Sequence, residues 1–146
     1  MNRIRNIAVG LPVRDGHVLA LLGSDHVRGI EFHRAIGGGI EFGETAEAAV
    51  RREFLEELGV RLEAVELLRV TEAIFVNEGL PGHEIAHIFA VSSTELDAIA
   101  LDAELTVLDE GSPVAWVPID SLVGGPRPIY PEGSLDLLTA WGEAGH

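Results

Sequence analysis

Residues 37–60 read GGGIEFGETAEAAVRREFLEELGV, a glycine turn running into a segment crowded with carboxylates. Set on a helix from about Thr45 to Leu58 at about 100° per residue, Val50, Phe54, Leu58, Leu55 and Ala48 share one broad apolar arc, while Glu53, Glu56 and Glu57 share a narrower arc on another side. One side packs and the other presents three acids. Like charges three and four residues apart repel by roughly 0.2–0.5 kcal/mol per pair on an exposed helix, so a compensating partner is expected.

A solvated acidic face is the plain reading of such a helix. Two features weigh against it. Glu44 stands in the turn just before the helix with Glu41 nearby, so further carboxylates reach the same neighbourhood. Gly37, Gly38, Gly39 and Gly43 leave the backbone free to fold back and present its carbonyls and amides. Clustered oxygen donors suit a hard divalent cation, Mg²⁺ or Mn²⁺, better than zinc. Arg52, four residues before Glu56, is placed to steady it by an i, i+4 pair.

The order Gly38, five residues, Glu44, seven residues, then Arg52-Glu53-Phe54-Leu55-Glu56-Glu57-Leu58-Gly59-Val60 resembles the signature box of the Nudix hydrolases, with every fixed identity at its spacing. The resemblance implies an α/β/α sandwich with a mixed β-sheet and a loop-helix-loop that binds divalent metal and hydrolyses a nucleoside diphosphate linked to another moiety. Carried over position by position, Glu56 and Glu57 are metal ligands, and Glu53 is a ligand or an activator of water. Arg52 is an orienting cation, Glu44 a supporting carboxylate, and the Gly38 carbonyl a further ligand. Phe54 stands where an aliphatic residue is commoner and Ile36 where many members have proline; neither change removes a charge.

The rest of the chain is consistent with one domain over residues 1–146. With no cysteine, disulfides, thiolate zinc sites and cysteine nucleophiles are excluded. No signal-peptide pattern and no run of about 20 apolar residues is present, so the expected location is cytoplasmic, away from membranes. All ten basic residues are arginine, and the formal net charge is −14. Such a surface repels nucleic acid and anionic membranes, leaving a small nucleotide-type substrate as the expected partner, with a homodimer as the assembly considered.

Arg5 to Val13 and His17 to Leu22 read as strands joined by an Asp-Gly turn, and Ile30 to Ile36 as a short strand delivering the chain into the glycine turn. His33 and Arg34 are candidates to face substrate from there, against a plain surface role. Thr45 is a suitable N-cap and Gly59 a suitable C-terminal cap. Ala64 to Val76 and His83 to Val91 read as antiparallel neighbours around a six-residue loop. Alternation puts His83, Ile85, His87 and Phe89 on one face and Glu84, Ala86, Ile88 and Ala90 on the other. The histidines lack the helical spacing of a zinc site; His83 or Glu84 bordering a substrate pocket is the better functional reading. Arg34, Glu44 and Glu84 are therefore the substrate-binding candidates.

Ser92 to Asp102 reads as an acidic connector without a period. Leu105 to Leu108 and Val114 to Pro118 read as a hairpin. Glu104, Asp109 and Glu110 are candidates for the extra late-loop carboxylate that the resemblance implies. Val123 to Pro131 reads as a Gly/Pro loop, with a structural role for Arg127 and Tyr130 set ahead of ligand contact, and Gly133 to Gly142 as a closing helix carrying Leu135, Leu137, Leu138 and Trp141.

The function expected is metal-dependent hydrolysis of a diphosphate linkage by water attack at phosphorus, with Glu53, Arg52 and Glu56 as the catalytic group. A non-catalytic nucleotide sensor on the same fold is the alternative, although such modules usually lose box carboxylates. The diphosphate isomerases of the fold use a cysteine that this chain lacks. Nucleotide sugars and canonical or damaged nucleotides all remain open as substrates, since the positions that mark ADP-ribose and dinucleoside polyphosphate members hold Phe75, Val76 and Asn77.

Overall fold

The apolar run after Arg5 forms β1 (Arg5–Leu11), whose alternation sets the layout: Ile7, Val9 and Leu11 enter one core and Ala8 the other. The structure, a computed structural model, describes residues 2–108 and 110–143, the last three by backbone alone. β1 pairs antiparallel with β5 (Ile36–Gly39) and parallel with β7 (Leu80–Ser92), and β6 (Ala64–Asn77) adds outside β7, giving the order β5-β1-β7-β6. A second sheet has the order β10-β4-β3-β9-β8, made of β10 (Ile129–Tyr130), β4 (Ile30–Arg34), β3 (His17–Asp25), β9 (Pro113–Pro118) and β8 (Leu105–Thr106), while β2 (Val13–Arg14) pairs with β3.

Two cores hold these sheets between helices. Ala49, Val50 and Phe54 of α1 (Ala46–Leu58) pack with Ala8, Leu19, Phe89, Val91 and Trp116. Leu138 of α3 (Ser134–Glu143) packs with Ile7, Val9, Val18, Ala86, Ile88 and Val117. The fold is thus the expected α/β/α arrangement, with its strands divided between two mixed sheets. Trp141, expected to add to the terminal helix's apolar face, has a side chain outside the described residues.

Four local readings change. The glycines read as a turn, Gly37 to Gly39, instead continue β5 and pair with Val9, Ala8 and Ile7 of β1. The β6–β7 connection is a two-residue turn at Glu78 and Gly79, both with positive φ (53° and 74°), so both strands run to the tip of the hairpin, as the twist of a tight turn favours. Within the connector after Ser92 a single turn, α2 (Thr94–Asp97), forms because the Ser93 hydroxyl accepts from Leu96 N at 3.1 Å. One turn is too short to show a period. The Gly/Pro loop contains β10, whose parallel partner β4 lies far earlier in the chain, a pairing that local pattern does not carry.

Candidate active site

α1 is fixed at both ends and at its centre. Thr45 Oγ1 accepts from Ala48 N at 3.1 Å. Gly59, at φ 69°, closes the helix with its N–H donating to Leu55 O, while Val60 N donates to Phe54 O. Phe54 is fully buried against Gly10, where an added Cβ would fall 2.7 Å from its ring, so the bulkier residue in the box is matched by a missing side chain on β1. With that face anchored, Glu56 is exposed while Glu53 and Glu57 are partly buried.

Arg52 supplies the compensation that the acidic spacing calls for. Its Nη1 donates to Glu53 Oε1 at 3.1 Å and to Glu56 Oε2 at 3.2 Å, so both carboxylates converge on one nitrogen. Its Nε and Nη2 donate to the two oxygens of Glu44 at 2.8 and 2.9 Å, and Nη2 also donates to Gly39 O at 2.9 Å. Glu44 Oε1 accepts from Glu41 N as well. The Arg52 hydrogen bonds and that backbone N–H hold the Glu44 carboxyl down to about 2, while the Glu44 contact pushes the Arg52 guanidinium further up.

Glu53 lies against Gly38: a Cβ there would stand 2.6 Å from its Oε1. The glycine therefore makes room for a carboxylate that is only 13% exposed, whereas Glu56 is 54% exposed. Glu57 O accepts from Leu108 N at 2.8 Å, which docks the late loop on the last turn of α1. On that loop Glu110 accepts from the Ser112 hydroxyl, Glu104 is exposed, and Asp109 lies outside the described residues.

No group of three or more His, Asp or Glu side chains among the described residues is placed to hold a metal ion. The donor chemistry nevertheless fits a hard cation: three glutamates on the helix and the Gly38 backbone offer oxygen only, and the Gly38 cradle brings Glu53 against that backbone.

A cavity of about 610 Å³ opens where the β6–β7 ribbon meets β4 and β10. Phe32 and Tyr130 meet edge to face at 5.4 Å on one wall, and Phe75 on the other lies across Gly82, where a Cβ would fall 2.4 Å from the ring. Arg34 and Glu84 both line it, joined at 3.6 Å, and Arg5 joins the same Glu84 oxygen at 3.2 Å. His83 is in the wall too, with its Nε2 2.9 Å from Glu72 Oε2. Glu44 stands apart, among the partners of Arg52. Arg127 pairs with Glu31, in keeping with the structural role expected. Tyr130, expected to be structural, lines the cavity instead.

Sequence reading passed over Arg5, Arg28 and Phe32 as pocket residues and set ligand contact at Tyr130 second to a structural role. For Phe32 the alternation of β4 was an available signal, because it shares a face with Arg34. For Arg5 and Tyr130 no local signal existed, since the in-register pairs Arg5–Glu84 and Tyr130–Arg34 arise from strands distant in sequence.

A NUDIX domain family model matches residues 4–137. The putative mutator protein MutT4 of Mycobacterium tuberculosis (strain CDC 1551 / Oshkosh) is 36% identical over 109 residues, covering 75% of this chain and 42% of that protein. The nucleoside triphosphatase NudI of Enterobacter sp. (strain 638) is 38% identical over 90 residues, covering 59% of this chain and 61% of that protein. The chain therefore spans about half the length of the curated relatives it matches. The crystal structure of a MutT NUDIX hydrolase from Burkholderia pseudomallei superposes with a TM-score of 0.65 at 26% identity, covering 94% of this chain and 96% of that one.

Proposed function

The chain belongs to the Nudix family, and on that premise we propose that it hydrolyses the diphosphate linkage of a nucleoside di- or triphosphate derivative. The observation that carries this reading is the convergence of Glu53 and Glu56 on Arg52 beside a glycine cradle, in a chain that also holds an arginine-lined pocket. A relative named as a nucleoside triphosphatase supports the substrate class.

Glu53, Glu56, Glu57 and the Gly38 carbonyl would hold Mg²⁺ or Mn²⁺. Such an ion, when bound, neutralises phosphoryl oxygens and acidifies water. The protein's own groups do the rest. The water oxygen forms a bond to phosphorus, the bond from that phosphorus to the bridging oxygen breaks, and the proton of the attacking water passes to a carboxylate. Glu53, largely shielded and pressed against Gly38, is the proposed acceptor of that proton. Arg52 orients Glu53 and Glu56, and Glu44 acts through Arg52 by fixing its guanidinium. Arg34 and Glu84 bind the part of the substrate that enters the pocket, and the late-loop carboxylates Glu104, Asp109 and Glu110 are the places to look for a further acid. The reading includes a cytoplasmic setting, and the homodimer is tested by sedimentation across micromolar concentrations.

A turnover screen with Mg²⁺ and with Mn²⁺ against nucleoside triphosphates, nucleotide sugars, ADP-ribose and dinucleoside polyphosphates tests the proposal. Cleavage of one class, stopped by EDTA and reduced by at least about 100-fold in Glu56→Gln without loss of fold, is expected. Full turnover in Glu56→Gln overturns the assignment of the site. Tight binding of one class without cleavage instead moves the sensor reading to the front.

A further inference from the structure

Four of the ten arginines, Arg3, Arg5, Arg28 and Arg34, line the inter-sheet pocket of a chain whose formal charge is −14. Their partners differ. Arg28 is committed to the loop that carries it, with Nε donating to the buried Asp25 carboxylate at 2.8 Å. Arg5 and Arg34 instead share a single acceptor, Glu84 Oε2, at 3.2 and 3.6 Å. One carboxylate does not neutralise two guanidiniums, so this trio keeps a net positive charge. Both cations are also within reach of a ligand, at 47% and 37% exposed, while Glu84 is 14% exposed beneath them.

Arg5 also marks where the pocket meets the carboxylate cluster. Its Nη2 lies 3.9 Å from the place of a Cβ on Gly39, and Gly39 O accepts from Arg52 Nη2 at 2.9 Å. A diphosphate reaching from the acidic face of α1 into the pocket passes Arg5 first. Guanidinium forks match the oxygens of a phosphate in geometry and charge better than they match one shared carboxylate oxygen.

We propose that Arg5 and Arg34 form a metal-independent clamp for the phosphate that stays attached to the pocket-held group, with Glu84 as the resting counter-anion that this phosphate displaces. The inference rests on the reading of the pocket as the site of the nucleoside end. It identifies the retained product as a nucleoside 5′-monophosphate whose dianion is gripped even when no divalent ion is present. It also gives Glu84 a role opposite to that of its neighbours: Glu84 competes with the ligand.

The test is equilibrium binding in EDTA at low salt, with AMP, GMP, CMP and UMP as probes and the matching nucleosides as uncharged controls. At least one monophosphate should bind about tenfold or more tightly than its nucleoside, and Arg5→Gln and Arg34→Gln should each remove about that factor, the scale of one charge-assisted contact. Arg34→Lys, which keeps the charge and loses the fork, should fall between. Arg127→Gln removes an equal charge outside the pocket and should leave binding as it was. Glu84→Gln should tighten binding several-fold.

Equal binding of monophosphate and nucleoside, absence of binding by every probe, or Arg34→Gln binding like the parent protein each overturns the clamp. Glu84→Gln weakening binding as Arg34→Gln does would overturn the counter-anion exchange and make Glu84 a positioning residue. Circular dichroism establishes that each variant is folded. Turnover with Mg²⁺, measured separately, tells the two readings apart: a clamp without turnover sinks the hydrolase, and turnover without a clamp sinks only this inference.

Discussion

Gly37 and Gly38 are neighbours in β5, yet their hydrogens face different obstacles. A Cβ on Gly37 would stand 2.0 Å from Ala8 O, at a backbone φ of 155°, so Gly37→Ala forces strand against strand. We expect it to lower the unfolding midpoint by at least about 5 °C, since a backbone clash has no side chain that can yield. The nearest atoms to a Cβ on Gly38 would be those of the Glu53 carboxylate, a side chain and not backbone. Gly38→Ala should keep the fold, move the carboxylate, and raise the Mg²⁺ concentration needed for half-maximal turnover; an unchanged metal requirement would separate Glu53 from the metal. Glu44 gives a pH signature of its own. Its carboxyl, held at about 2 against an ordinary 4.5, adds stability that is complete above pH 4.5 and fades as pH falls toward 2. Urea midpoints of the parent and Glu44→Gln should therefore differ most at neutral pH and converge between pH 4.5 and 2; a constant gap would refute the pairing with Arg52 as its cause. At this scale the sequence was informative wherever chemistry is local. Arg52 with Glu56 follows from helical spacing, but Arg5 with Glu84 requires a strand pairing across 79 positions.

Among the elements, α1 shows why the box was legible and the pocket was not. Cap and acidic residues lie within one helical stretch, so period and capping chemistry place them, whereas Leu55 and Ala48 of the expected apolar arc are exposed and Ala49 packs instead. The pocket is assembled from β1, β4, β6, β7 and β10, none of which contributes a contiguous motif. The late loop is intermediate. Its turn was readable, but its docking on α1 through Leu108 N and Glu57 O depends on tertiary packing. The caps make α1 testable as an element. Thr45→Ala removes the acceptor for Ala48 N and should cost about 1 kcal/mol of stability. Because the first turn also carries the chain from Glu44 into Arg52, the same change should lower kcat more than it raises KM. A loss confined to stability would detach the cap from the site.

For the whole molecule the dominant fact is charge. At a formal −14 the folded chain repels itself, and the carboxylates of α1 are one local concentration within a broadly acidic surface. Any salt screens that repulsion, so stabilisation by Mg²⁺ alone would say nothing about a site. The two effects separate at matched ionic strength. Raising NaCl from about 50 to about 500 mM shortens the screening length from more than 10 Å to a few ångströms and should raise Tm. Mg²⁺ at the same ionic strength should raise it further, because a ligand that binds only the folded state at about 100 times its Kd adds roughly 2.7 kcal/mol. Replacing Glu53 and Glu56 together by glutamine should remove the Mg²⁺ increment and leave the NaCl increment, slightly reduced because two negative charges are gone. If the Mg²⁺ increment survived that double change, the ion would be acting on the acidic surface at large. The convergence of Glu53 and Glu56 on Arg52 would then be a helix-stabilising ion pair and no more.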